Sequence, residues 1–149
     1  MNKREVAIKL FLDGYNCSQA VFGAFCEELG MDFETAMKLS SSFGGGMGRL
    51  REVCGAVSGM FMVAGLKSGY TSPTDKDAKT EHYKLIQQLA EEFKKKNGSI
   101  ICRELLDPEE NNHGHIPSDR TKEYYKKRPC AELVGDAAEI IEKYLQTVK

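Results

Sequence analysis

Apolar residues recur along this chain at intervals of three and four, and strand-like alternation of β-branched residues is not sustained anywhere. The first pattern runs from about Lys3 to Leu12 and stops at Gly14, a helix C-cap signal. A second begins beside Asn16, a good N-cap, and is expected to end at Gly30. Asp32 caps a third, from Phe33 to about Ser42. An apolar helix is expected over about Val53 to Ser68. Ser72-Pro73-Thr74-Asp75 reads as a helix start, with Pro in the first position and Asp three residues after Ser. That helix ends at Asn97-Gly98, and Ser99 restarts a short one through Leu106. Asp107 to Asp119 is polar, with Pro108, Gly114 and Pro117, and reads as a surface loop. A short helix over Arg120–Lys127 and a last one opened by Pro129 complete the chain. The expected fold is all-α: one domain over residues 1–149, a helical bundle of about six to eight helices.

One segment breaks the pattern. Phe43-Gly44-Gly45-Gly46-Met47-Gly48 places four glycines in five residues, which is not comfortable helix interior. A loop with exposed backbone N–H groups is expected. No Gly-Lys-Ser/Thr follows it and no strand precedes it, so the phosphate-loop motif fails. A weaker anion nest helped by Arg49 and Arg51 stays open. The preferred reading is structural: a tight approach that delivers Cys54 to a site.

Composition narrows the function. A net charge of −1 gives no global reason for nucleic acid or an acidic membrane as partner. The basic runs Lys94–Lys96 and Lys126–Arg128 read as solvated helix ends. Lys3 and Arg4 lead into amphipathic sequence rather than an apolar signal-peptide region. The longest apolar stretch, Val53 to Leu66, is too short to span a bilayer and is interrupted by Gly55, Ser58, Gly59 and Gly65. The expectation is a soluble, cytoplasmic protein without membrane insertion. In that compartment clustered cysteines point to metal or redox chemistry rather than structural disulfides.

Four of the five cysteines, Cys17, Cys54, Cys102 and Cys130, fall at expected helix starts. Unpaired N–H groups and the helix dipole favour thiolate there. Thiolate is the form that attacks disulfides and binds metals. Arg51 precedes Cys54, Arg103 follows Cys102, and Lys127 and Arg128 precede Cys130, so cations are available to lower the pKa of three of the four. Cys130 shares a helical face with Val134, Ala137, Ile141, Tyr144 and Val148 and is expected to point inward. Cys17 lines up with Ala20, Val21 and Ala24. Cys26 is half a turn out of phase and followed by Glu27 and Glu28, so it is assigned to core packing. Gly55 and Gly59, four apart, permit close approach of another backbone or of a bound group, within the chain or across a homodimer.

The order Cys17, then Cys54-Gly55-Ala56-x-x-Gly59, then Cys102, then Cys130 resembles the C_GCAxxG_C_C family of redox-active proteins. The resemblance runs from Tyr15-Asn16-Cys17-Ser18 to Cys130 and its helix, and includes the glycine-rich lead-in. It implies a redox role for Cys17, Cys54, Cys102 and Cys130, and Cys26 matches no motif position. No Cys-x-x-Cys is present, so a c-type haem signature and the paired-knuckle zinc site are excluded. Two readings follow. The four thiols cycle between dithiol and disulfide, with Cys130 and Cys54 the better attackers by local charge; or the four thiolates bind zinc or an iron–sulfur cluster. A third reading takes all four as core packing in a helical interaction protein. The redox partner is not identified by the sequence.

The remaining candidates are weaker. His82 lies on the apolar stripe Ala78, Leu85, Ile86, Leu89 and Phe93, and a hydrogen-bonded core role is preferred over a ligand role. His113 and His115 flank Gly114 in the polar loop and read as surface residues. Met47, Met60 and Met62 read as core rather than metal ligands.

Overall fold

The computed structural model describes residues 1–148 and is all-α, as expected, with eight right-handed helices among those residues. They are α1 (Lys3–Leu12), α2 (Cys17–Gly23), α3 (Phe33–Ser40), α4 (Gly55–Ser68), α5 (Lys76–Asn97), α6 (Cys102–Leu105), α7 (Lys122–Lys127) and α8 (Cys130–Thr147). Among the described residues no helix is long and apolar enough to cross a membrane.

Caps set several of the starts. Asn16 and Gln19 form a reciprocal capping box: Asn16 Oδ1 accepts from the Gln19 amide at 2.9 Å, and Gln19 Oε1 accepts from the Asn16 amide at 3.0 Å. Asp32 accepts from the Thr35 amide at the start of α3. For α5 the cap is Asp75, accepting from the Ala78 amide, so the helix begins three residues later than the Ser72-Pro73 signal suggests. The regular part of α2 stops at Gly23, not Gly30. Ala24–Gly30 continues as a run of turns, with three-residue bonds such as Phe25 N–H to Phe22 O. At Gly23 a Cβ would meet Met37, Phe33 and Leu10, so α3 and α1 press closely where the helix ends.

The centre of the bundle is α4. It is apolar all round, and eight of its residues from Gly55 to Ala64 are buried. It packs against α2 on one side and against α8 and α5 on the others. The buried stripe of α8 is Leu133, Val134, Ala137, Ala138 and Ile141, which matches the expected face. Helices α1 and α8 are clamped by a charge network. Arg4 reaches Asp136 and Glu132, both at 2.7 Å, and Lys96 from α5 reaches Asp136 at 3.1 Å. Asp136 is 5% exposed, so these partners compensate a carboxylate that is largely out of water. Asp136→Asn is expected to cost about 1–3 kcal/mol in urea unfolding, because both cations lose the buried negative charge that faces them. An unchanged midpoint would mean the clamp contributes nothing.

Candidate cysteine cavity

Each of the four motif cysteines sits at a helix start, as the caps imply. Cys17, Cys102 and Cys130 are the first residues of α2, α6 and α8, and Cys54 is the N-cap of α4. All four line one cavity of about 60 Å³. It is walled by Phe11, Leu105, Leu106 and Leu133, and it also receives Arg51, Arg120 and Arg128. Cys26 is not among the lining residues. It is fully buried elsewhere in the core, its Sγ 3.7 Å from Gly23 O, which agrees with its assignment to packing.

Two backbone devices assemble the cavity. The first joins Cys54 to Cys102. The Cys54 amide donates to Ile100 O at 2.8 Å, and the Cys102 amide donates to Glu52 O at 2.6 Å. Val53 and Ile101 form an isolated antiparallel bridge between these rungs. The second is the glycine run, which is not an open loop. Gly45, Gly46, Met47, Gly48 and Arg49 have φ of 67°, 72°, 72°, 58° and 68°, a left-handed helical turn. Arg51 follows with φ 62°. The turn is closed by Arg49 N–H to Gly44 O at 3.2 Å and Glu52 N–H to Gly46 O at 2.9 Å. Left-handed backbone costs roughly 1–2 kcal/mol at each residue with a Cβ, which explains why glycine fills most of the turn. Gly46 has a further reason: a Cβ there would lie 2.7 Å from Cys102 Cβ and 2.8 Å from Arg51 Cα. The turn therefore seats Cys102 and turns the chain toward Cys54.

The Cys-Gly-Ala-x-x-Gly motif has a similar steric logic. A Cβ on Gly55 would overlap Cys17 Sγ, and one on Gly59 would lie 2.8 Å from Ser18 O. Both glycines are used within the chain, letting α2 and its sulfur lie against α4.

Electrostatics depart from the expectation of lowered thiol pKa values. Burial pushes the Cys17 thiol up, against the Gly45 amide that favours its thiolate. Burial pushes Cys54 well above the ordinary value, with Cys17 and Cys130 adding to it and the Val57 and Ala56 amides opposing. Cys130 is pushed up to about 12 by burial, then by Cys17 and Cys102, with Arg128 and Arg51 pulling it down. The helix termini and cations act in the expected direction, but desolvation outweighs them. Arg51 also has a different target from the one its sequence position suggests. Its Nη1 lies 3.7 Å from Cys102 Sγ, and its Nε donates to Asn112 O at 2.9 Å. Arg103 turns away to Glu52 and Arg51 O.

Among the described residues no three His, Cys, Asp or Glu side chains are already arranged as a metal site, and all five cysteines are free. Of the histidines, none lines the cysteine cavity. His82 packs edge-on to Tyr70, and its Nδ1 lacks a hydrogen-bond partner, so it is not the bonded core histidine expected. Sequence reasoning missed Arg120, whose guanidinium donates to Phe11 O and Tyr15 O and stacks 4.3 Å from the Phe11 ring centroid. It missed Tyr124 as a lining residue too; nothing local to either position signals the site.

No curated protein and no solved structure matches this chain. A family model described as "Putative redox-active protein (C_GCAxxG_C_C)" matches residues 15–144, a span that holds the glycine turn, the Cys-Gly-Ala-x-x-Gly motif and all four cavity cysteines, and the chain belongs to that family.

Proposed function

We propose that the four-cysteine cavity is the protein's redox centre, and that Cys17, Cys54, Cys102 and Cys130 hold an iron–sulfur cluster there for electron transfer or redox sensing. The observation that carries this reading is the lining itself: four thiols and three guanidiniums meet in about 60 Å³, with no carboxylate among the lining residues. Arg128 is paired with Glu110 at 2.9 Å, but Arg51 and Arg120 have no carboxylate partner among the described residues, and a buried cation needs an anion. A disulfide is neutral, and protonated thiols are neutral too. Four thiolates on a cluster would supply the missing charge, and binding would deprotonate them outright. Zinc would satisfy the charge equally but carries no redox chemistry. The sulfurs would have to turn inward to ligate. A reducing compartment such as the cytoplasm is the setting in which free thiols await such a group.

Dithiol–disulfide cycling is the second reading, favoured by the packing of Cys17 Sγ against Gly55, next to Cys54. There two thiols would form one S–S bond, releasing two protons and passing two electrons to an oxidant such as a low-molecular-weight disulfide.

Anaerobic purification, followed by iron and acid-labile sulfide analysis, separates the two. Iron and sulfide retained through gel filtration are expected, and are lost when any one of the four is replaced by serine but kept in Cys26→Ala. Failure to take up iron and sulfide on anaerobic reconstitution would remove the cluster reading. Reversible loss of thiols in pairs on mild oxidation would then favour the disulfide.

A further inference from the structure

Outside the cysteine cavity, and sharing Arg51, Arg120 and Arg128 with it, lies a wider, solvent-open vestibule of about 250 Å³. Arg49, His115 and Ser118 add to its polar wall, and no carboxylate lines it among the described residues. Its four guanidiniums face only one neutralising partner among the described residues, Glu110, which pairs with Arg128 at 2.9 Å. The other three are held by neutral acceptors. Arg49 donates to Gly114 O at 2.9 Å and to Asn112 Oδ1, Arg51 to Asn112 O, and Arg120 to Phe11 O and Tyr15 O. Neutral acceptors fix these side chains without cancelling their charge, which is preorganisation for an anion.

A second observation points to a ligand. Arg51 is 2% exposed, and its Nη2 is buried with no hydrogen-bond partner. A buried donor on a charged group is costly to leave unmade. Arg51 lines both spaces, so its charge acts on an anion held in the vestibule.

We infer that the vestibule is a binding site for a small oxyanion, a sulfate-, phosphate- or carboxylate-like group. The anion sits between Arg49, Arg51 and Arg128, on a side of the cysteine cavity where four cations are gathered. Its role as the substrate or effector of the redox centre rests on the proposed function; the anion site itself does not.

The test uses the purified chain, titrated with inorganic sulfate and inorganic phosphate against sodium chloride of equal ionic strength. Thermal shift and NMR of the arginine side chains are the readouts. Saturable binding above the chloride control is expected, weakened about tenfold or more in Arg49→Gln. Arg49 is part-exposed and its replacement keeps two of the three methylenes of the stem, so folding is expected to survive, checked by circular dichroism. Binding should persist in Cys54→Ala, which removes a cluster ligand but no vestibule residue. Absence of saturable binding, or equal binding in Arg49→Gln, overturns the inference and leaves the redox centre untouched. Binding of a carboxylate such as acetate but not of the inorganic ions narrows the site to the terminal group of an organic acid. Failure of the wild-type chain to take up iron and sulfide, with anion binding retained, would instead count against the proposed function alone.

Discussion

Gly55→Ala is expected to destabilise the protein by about 2–3 kcal/mol and to disturb the cysteine cavity, although alanine is the better helix former. The new methyl would overlap Cys17 Sγ and lie 2.9 Å from Phe43 O and 3.2 Å from Ser18 N. Cys17 Sγ alone could swing aside, but Phe43 O and Ser18 N are backbone and can move only if α2 and the glycine turn move with them. Gly65→Ala, on the same helix, should do the opposite. Nothing lies within 4 Å of its would-be Cβ, so the substitution is expected to stabilise by up to about 1 kcal/mol. A shift of roughly 2–4 °C in Tm per kcal/mol makes both readable in one thermal series. The pair separates a steric role for the motif glycine from helix propensity. If Gly55→Ala were as stable as Gly65→Ala, the close approach between α2 and α4 would not be what requires glycine there.

The sequence already contained the helix starts. Asn16, Asp32 and Pro129 locate three of them within a residue or two, because capping is local chemistry. With those starts came the positions of Cys17 and Cys130; Cys26 was set apart by a helical phase that assumed a helix to Gly30, and it lies instead in the turns after Gly23, buried in the core as assigned. What was not legible depends on contacts between distant segments. The glycine run was expected as a loop, yet it closes into a left-handed turn, because its bonds run forward to Arg49, Arg51 and Glu52. Arg51 was paired by sequence proximity with Cys54, but the positive φ at Arg51 and the Val53–Ile101 bridge send its guanidinium to Cys102. The largest miss is electrostatic. Helix termini and neighbouring cations can be seen in a sequence, whereas desolvation is a property of the assembled cavity, and here it outweighs both.

That desolvation sets the sign of the protein's alkaline behaviour. In the reduced, metal-free chain the Cys130 pKa is raised from 9.0 to about 12, and those of Cys54 and Cys17 are raised as well. Unfolding returns these thiols to water and to their ordinary range. Between about pH 9 and pH 12 the unfolded chain has then lost protons that the folded chain still holds. Stability falls with pH wherever the folded state binds more protons. The contribution of these thiols is therefore fully present below about pH 9 and is lost as pH rises through the folded values. Urea midpoints are expected to be insensitive to the thiols below that range and to drop above it. Lysines and tyrosines titrate there too, so the diagnostic quantity is the difference between the wild-type protein and Cys130→Ala, whose slope should be shallower by about one proton. The same shift predicts that Cys130 in the folded apoprotein is alkylated at pH 8 about a thousandfold more slowly than an ordinary thiol, since only thiolate reacts. A four-thiolate cluster reverses the sign. Its ligands are already deprotonated, so alkali no longer removes a proton from them, and it is acid that competes for the sulfurs and releases the metal. Alkaline loss in the apoprotein together with acid loss in the loaded protein would be the signature of a site whose charge is completed by what it binds. An alkaline slope left unchanged by Cys130→Ala would show instead that its thiol is not desolvated, and that the cavity is open enough for thiol exchange with a partner.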